Sequence, residues 1–120
     1  MKRLLLAIGL SGAVALGAAT VGVQAAHQHA VSAAKHKAIS IKNFAFAPKK
    51  VTVHVGTVIT WTNNDSAAHT VTSDPGSKLK LNSPDLNTGD TYKITVKKTG
   101  TFKYHCNFHP FMHGTIKVVK

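Results

Sequence analysis

Apolar and polar residues alternate along most of the chain after residue 38. The segment "KKVTVHVG" places Val51, Val53 and Val55 on one side of the chain and Thr52 and His54 on the other, the pattern of a half-buried strand. Alternation or enrichment in β-branched residues predicts further strands in "AISIKNF" (38–44), "TVITWTNND" (57–65), "HTVTSD" (69–74), "TYKITVKK" (91–98), "TGTFKYHC" (99–106) and "GTIKVVK" (114–120). No stretch of this region has the apolar period of a helix.

Turn-forming residues separate the predicted strands. The tripeptide "NND" ends one strand and "DPGS" follows another, whereas residues 73–90 are irregular and could hold a short strand or a turn of helix. Six to eight short strands within about 80 residues predict an all-β fold, an antiparallel Greek-key β-sandwich that occupies residues 39–120. Its core is predicted to contain six aromatic residues: Phe44, Phe46, Trp61, Tyr92, Phe102 and Tyr104.

The first 25 residues have a different character. Met1-Lys2-Arg3 is a short basic start, residues 4–23 are apolar or small, and "VQA" offers small residues at Val23 and Ala25 for cleavage before Ala26. This layout predicts a signal peptide at 1–25, although an uncleaved membrane anchor of the same length is the alternative. Either form exports the domain to the periplasm or the extracellular face. Residues 26–38 are predicted to be a flexible, histidine-containing lead-in.

Composition limits what holds the exported part together. Removal of residues 1–25 leaves 95 residues, which is enough for one domain, with 13 lysines, 4 aspartates and a net charge of +9. A domain of this size buries only about 60–65% of its extended surface and often needs a covalent or metal staple. Its single cysteine cannot form an internal disulfide, so a metal is the remaining staple.

The excess of lysine limits the kinds of molecule that the protein is expected to bind. Lysines are spread from Lys35 to Lys120 with only short pairs, and an exported chain without clustered arginine is not expected to bind nucleic acid. A solvated basic surface is the simplest interpretation. An acidic protein partner and an anionic membrane surface are the alternatives.

The segment "YHCNFHPFMHG" (104–114) contains three residues that could bind a metal ion. It spaces Cys106, His109 and Met112 as C-x-x-H-x-x-M, and Pro110 stiffens the turn between them. A thiolate, an imidazole and a weak thioether are three of the four ligands of a blue-copper centre. The fourth should be a histidine from another strand, and His69 fits that position. A buried structural cysteine beside surface histidines is the competing interpretation, and zinc is the competing metal, although zinc sites do not use a thioether.

Residues 38–120 resemble the plastocyanin/azurin family of cupredoxins. The short ligand loop "CNFHPFM", with "YH" before it and "HG" after it, is most similar to the amicyanin branch of that family. The resemblance implies a cupredoxin-like sandwich that binds one copper ion through His69, Cys106, His109 and Met112. Members commonly carry asparagine after the first ligand histidine, and its side chain ties the two ligand loops together. Here Thr70 takes that position with a shorter hydroxyl side chain.

These observations predict a monomeric type 1 copper protein that shuttles single electrons between redox protein partners and is not an enzyme acting on a small-molecule substrate. Phe108, Pro110 and Phe111 would form an apolar docking patch beside His109. The alternative function is a copper buffer or delivery protein with an acquisition arm of three histidines: His27, His29 and His36. The remaining histidines are expected at the solvated surface: His54, His105 and His113.

Overall fold

A computed structural model describes residues 35–120, which form eight strands. The strands are β1 (His36–Lys42), β2 (Ala45–Ala47), β3 (Lys50–His54), β4 (Val58–Asn63), β5 (Thr72–Ser73), β6 (Thr91–Thr95), β7 (Gly100–His105) and β8 (His113–Val119). Within this part of the chain there is no helix long and apolar enough to cross a membrane. The predicted signal peptide, His27 and His29 lie outside the described residues, whereas His36 is the first residue of β1.

The strands form two four-stranded sheets, which confirms the predicted all-β sandwich. One sheet has the order β2-β1-β4-β6 and the other has the order β3-β8-β7-β5. Both sheets are mixed, because β1 pairs with β4 and β3 pairs with β8 in parallel, while the other strand pairs are antiparallel. Period-two alternation identifies which side chains face the core, but it is the same for parallel and antiparallel strands.

The core confirms most of the predicted aromatic residues. Trp61 and Tyr104 are fully buried, and the Trp61 indole N–H donates to the Tyr104 hydroxyl at 3.1 Å. Burial raises the pKa of Tyr104 to about 12, although the hydrogen bond from Trp61 opposes the shift. Gly114 lies on β8 against the Tyr104 ring, where any Cβ would overlap the ring carbons. Cys106 and Met112 belong to the same buried cluster, so the candidate ligands lie at one margin of the hydrophobic core.

The predicted strands at 38–44 and 69–74 have other bounds in the structure: the first is shifted to His36–Lys42, and the second is shortened to Thr72–Ser73. The segment 38–44 does not stay extended, since Asn43 and Phe44 have φ angles of 54° and 57° and form the turn between β1 and β2. A left-handed conformation is unusual for a phenylalanine, and the prediction that Phe44 belongs to the core is wrong, because it is 43% exposed. In the segment 69–74 only Thr72 and Ser73 are a strand, and His69 makes an isolated bridge to Leu86.

Candidate metal centre

Three of the four predicted ligands converge on one point. The Nδ1 atoms of His69 and His109 each lie 3.7 Å from the Cys106 Sγ atom and 3.2 Å from one another. His69 and Cys106 have no solvent exposure, and His109 is half-buried. His69 approaches from the segment between β4 and β5, 37 residues before Cys106, so the fold joins two distant parts of the chain here.

The loop from Cys106 to Met112 is closed by its own backbone. The Met112 N–H donates to the His109 carbonyl at 2.8 Å, and the Met112 carbonyl accepts from the Cys106 N–H at 3.2 Å. Met112 is 2% exposed and lines a cavity of about 100 Å³ together with Phe44 and Phe111. The strands β7 and β8 end at either side of this loop and hold its two ends in register.

The spacing of the donor atoms fits a tetrahedral or trigonal metal ion. Metal bonds of about 2.0 Å to imidazole nitrogen and about 2.3 Å to thiolate, the lengths that zinc makes, separate neighbouring donors by roughly 3.3–3.7 Å. The two Nδ1–Sγ separations of 3.7 Å lie within that range, and the Nδ1–Nδ1 separation of 3.2 Å lies just below it. Two imidazoles and a thiolate with a buried thioether in the same loop are the donors of a blue-copper site.

Asp65 orients the first candidate ligand and was not among the predicted site residues. Its Oδ2 atom lies 2.9 Å from His69 Nε2, so an N–H at Nε2 leaves the lone pair of Nδ1 directed at Cys106 and His109. Its carboxylate also accepts the backbone N–H groups of Asn43 and Phe44 at 2.7 and 2.9 Å. Burial by itself raises the pKa of this carboxyl group. The hydrogen bonds from Phe44, Asn43 and His69 outweigh burial and hold the pKa below its usual value of 3.8.

The loop containing Asp65 is organised by Asn63. The Asn63 side-chain carbonyl accepts the Asp65 N–H at 2.8 Å, and its amide group donates to the carbonyls of Ala67 and Leu86 at the same distance. The tripeptide "NND" indicated a turn in the sequence, which is correct. The one sequence signal for the contact between Asp65 and His69 was their spacing of four residues. The same spacing is common in turns that hold no metal.

Thr70 connects the two ligand loops despite its short side chain. Its Oγ1 atom accepts the Asn107 N–H at 2.9 Å and lies 2.9 Å from the Thr72 hydroxyl. The Thr70 backbone N–H points at the Cys106 Sγ atom at 3.3 Å. The Thr70 hydroxyl therefore supplies a direct contact between the two ligand loops.

Three phenylalanines surround the exposed edge of the site, and we call Phe44, Phe108 and Phe111 the aromatic collar. Phe44 packs edge-on against both imidazoles, with ring centroids 5.5 Å from His69 and 4.9 Å from His109. Phe108 and Phe111 lie 6.4 and 6.0 Å from His109 and are 48% and 68% exposed. Phe108 and Phe111 lie beside His109 as predicted, whereas Phe44, predicted to belong to the core, also lies there.

The other described histidines do not join this group. His54 and His113 are exposed, as expected, and His54 Nδ1 lies 2.6 Å from the carbonyl of Lys120. His105 differs from the expectation of a solvated side chain, because its Nδ1 pairs with Asp74 at 2.6 Å and its Nε2 lies 3.1 Å from the Asn107 side chain. The His105 side chain points away from Cys106, and its two contacts stabilise the end of β7.

Comparison with known proteins identifies the family. Residues 12–118 match the model of the cupredoxin-like domain. The chain belongs to the cupredoxin family. It is 31% identical over 120 residues to amicyanin-alpha of Methylorubrum extorquens, covering 98% of this chain and 99% of that protein. It is 30% identical to amicyanin of Paracoccus denitrificans, covering 95% of this chain and 88% of the relative.

A solved structure shows the same fold. The purple cupredoxin from Nitrosopumilus maritimus superposes with a TM-score of 0.62 at 35% identity, covering 69% of this chain and 99% of that one. Family membership and the convergence of His69, Cys106 and His109 together make copper the cofactor of this cupredoxin.

Proposed function

We propose that this cupredoxin is an exported type 1 copper protein that carries single electrons between larger redox proteins. The observation that carries the proposal is the buried group of two imidazole nitrogens and one thiol within 3.7 Å of one another. His69, Cys106 and His109 would be the strong ligands, and the thioether of Met112 would be the weak fourth donor. The alignment with amicyanins over nearly the whole chain supports the same assignment.

The chain holds these ligands so that little needs to move when the charge of the site changes. Copper, when bound, supplies a one-electron couple between Cu(II) and Cu(I). Asp65 fixes the tautomer and orientation of His69, and the Thr70 N–H shares part of the negative charge of the Cys106 sulfur. The backbone bonds within the ligand loop hold His109 and Met112 at a constant separation.

The electron would pass through the half-buried edge of His109. His69, Cys106 and Met112 are covered by protein, whereas the aromatic collar leaves the ring of His109 partly accessible. The apolar surface of the collar suits contact with a partner protein, because the centre of such an interface is depleted of charged residues. The same enclosure supports a carrier rather than an enzyme, since the cavity beside Met112 holds only about 100 Å³, well below the roughly 300–1,000 Å³ of pockets for small molecules.

Export rests on the sequence of residues 1–25, whose basic start, apolar run and small residues at the end have the layout of a signal peptide. Electron carriers of this kind would then meet their partners outside the cytoplasm, as monomers. The excess of lysine over aspartate favours partners with acidic surfaces.

The central experiment replaces the thiolate. The protein expressed with copper should show an intense visible thiolate-to-copper band and a reversible one-electron voltammetric wave. Cys106→Ser should abolish the band, because a hydroxyl is a poor donor to copper, while far-ultraviolet circular dichroism retains the β-sheet signal. His109→Ala should also lose the normal band. His113→Ala is the matched control, since this exposed histidine is next to Met112 but outside the ligand group. A Cys106→Ser protein with an unchanged band would refute the assignment.

A further inference from the structure

A second surface feature lies away from the aromatic collar. A cavity of about 270 Å³ opens between the segment 78–80, the end of β6 and the strand β7. Its apolar part is formed by Leu79, which is half-buried, and by Phe102, which is 8% exposed. Four exposed lysines line the remainder: Lys78, Lys80, Lys97 and Lys98. We call these six residues the lysine pocket.

The charge of the lysine pocket is not neutralised by the protein. Its lining contains no aspartate or glutamate. Both ion pairs within residues 35–120 join a histidine to an aspartate, namely His69 to Asp65 and His105 to Asp74, so neither involves a lysine. Four ammonium groups around one cavity repel one another, and an anionic partner would relieve that repulsion. The ligand that fits therefore carries several negative charges.

The shape and the floor define the apolar part of the ligand. A volume of about 270 Å³ is below the roughly 300–1,000 Å³ of pockets for whole small molecules, but it accommodates one large side chain. An apolar centre with a charged rim is also the arrangement of a protein docking surface. Leu79 and Phe102 form the floor of a concave site and do not protrude, whereas insertion into a membrane requires apolar side chains that project from the surface.

The lysine pocket lies close enough to the candidate copper ligands to serve a redox partner. Phe102 and Cys106 are four residues apart along the extended strand β7 and its end, which is about 13 Å at roughly 3.3 Å per residue. A protein that occupies the lysine pocket therefore lies near the copper ligands without covering the collar at His109.

We propose that the lysine pocket is a second docking site, which takes an acidic segment of a redox partner protein with one large apolar side chain at its centre. This inference rests on the proposed electron-transfer function and specifies the chemistry of a partner. The carboxylates of the segment pair with the lysines at the rim, and the apolar side chain covers Leu79 and Phe102.

The test uses two synthetic peptides and NMR of the ¹⁵N-labelled Cu(I) protein. One peptide has a central tryptophan with three aspartates on each side, and the other has glycine in place of the tryptophan. The tryptophan peptide should shift the amide signals of residues 78–80, 95–98 and 102 in a saturable manner. The glycine peptide should bind about tenfold more weakly, because it leaves the apolar floor uncovered.

Variants with matched charge separate a specific site from general attraction. Lys97→Gln combined with Lys98→Gln should weaken the tryptophan peptide about tenfold, whereas Lys117→Gln combined with Lys120→Gln, which removes the same charge outside the pocket, should change it less than about twofold. Leu79→Ala keeps every charge and should reduce the preference for tryptophan over glycine. Equal weakening by the two double variants, or shifts confined to residues 108–111, would overturn the proposal.

Two further measurements distinguish protein docking from membrane binding, and failure of the docking site from failure of the electron-transfer function. Vesicles of phosphatidylcholine with phosphatidylglycerol should bind both double variants equally. If vesicles bind through Lys97 and Lys98 while the peptides do not bind, the surface contacts a membrane and the proposal is wrong. The visible copper band and the potential are recorded on the same samples. A normal band without peptide binding overturns the docking site alone, and a missing band overturns the electron-transfer function.

Discussion

Replacement of Asp65 by asparagine tests whether one buried carboxylate holds the candidate copper site together. Asp65 accepts three hydrogen bonds, from the backbone of Asn43 at 2.7 Å, from the backbone of Phe44 at 2.9 Å and from His69 Nε2 at 2.9 Å. It is 7% exposed. These contacts join the β1–β2 turn to the segment that carries the first ligand, so the substitution should affect stability and the metal site together.

The expected magnitude follows from the hydrogen bonds. A hydrogen bond to a charged group contributes about 1.5–3 kcal/mol, and a neutral one contributes about 0.5–1.5 kcal/mol. An asparagine side chain has one carbonyl oxygen and can accept at most two of the three bonds, and its amide group would face an N–H donor. We therefore expect Asp65→Asn to lower the free energy of unfolding of the copper-free protein by about 3 kcal/mol.

The assay is guanidinium chloride unfolding of the copper-free protein, followed by the fluorescence of Trp61. Asp85→Asn is the matched control, because Asp85 is exposed and loses the same charge. Since the pKa of Asp65 is lowered, its contribution should be complete above pH 3.8 and decrease as the pH falls below that value. In the copper-loaded protein the lost negative charge should raise the reduction potential. A loss below about 0.5 kcal/mol, or equal to that of Asp85→Asn, would refute the role of Asp65.

Three further predictions test other parts of the site. Met112→Gln should retain the visible band and lower the reduction potential, since an amide oxygen favours Cu(II); an unchanged voltammetric potential would mean that Met112 does not bind copper. Thr70→Val should lower the free energy of unfolding by about 2 kcal/mol, because it removes the acceptor for the Asn107 N–H. Thr70→Ser, which keeps the hydroxyl, should restore most of that loss, and equal losses in the two variants would contradict the coupling of Thr70 to Asn107. Deletion of residues 26–34 combined with His36→Ala, which keeps the backbone of β1, should leave one copper ion per chain by metal analysis, and loss of a second equivalent would instead support the buffer function.

The strands and the spacing of the candidate ligands were accessible from the sequence. The alternation in β3 and β4 depends on the geometry of an extended chain, in which successive side chains point to opposite faces, so it can be recognised locally. Cys106, His109 and Met112 lie within seven residues, and their spacing and chemical types already pointed to copper. His69 is predicted because this donor set lacks one imidazole and because His69 follows a core strand at the point where the chain re-enters the sheet.

The supports of the site were decided only by the tertiary structure. Asp65 reaches Asn43 and Phe44 across 22 and 21 residues, and Thr70 reaches Asn107 across 37 residues. The exposed position of Phe44 follows from the left-handed turn that Asp65 stabilises, whereas its sequence neighbours indicated a continuous strand. The lysine pocket likewise combines three segments that have no common pattern. Local periodicity reports which side of a strand is buried, but it carries no information about which distant backbone donors and charges will meet there.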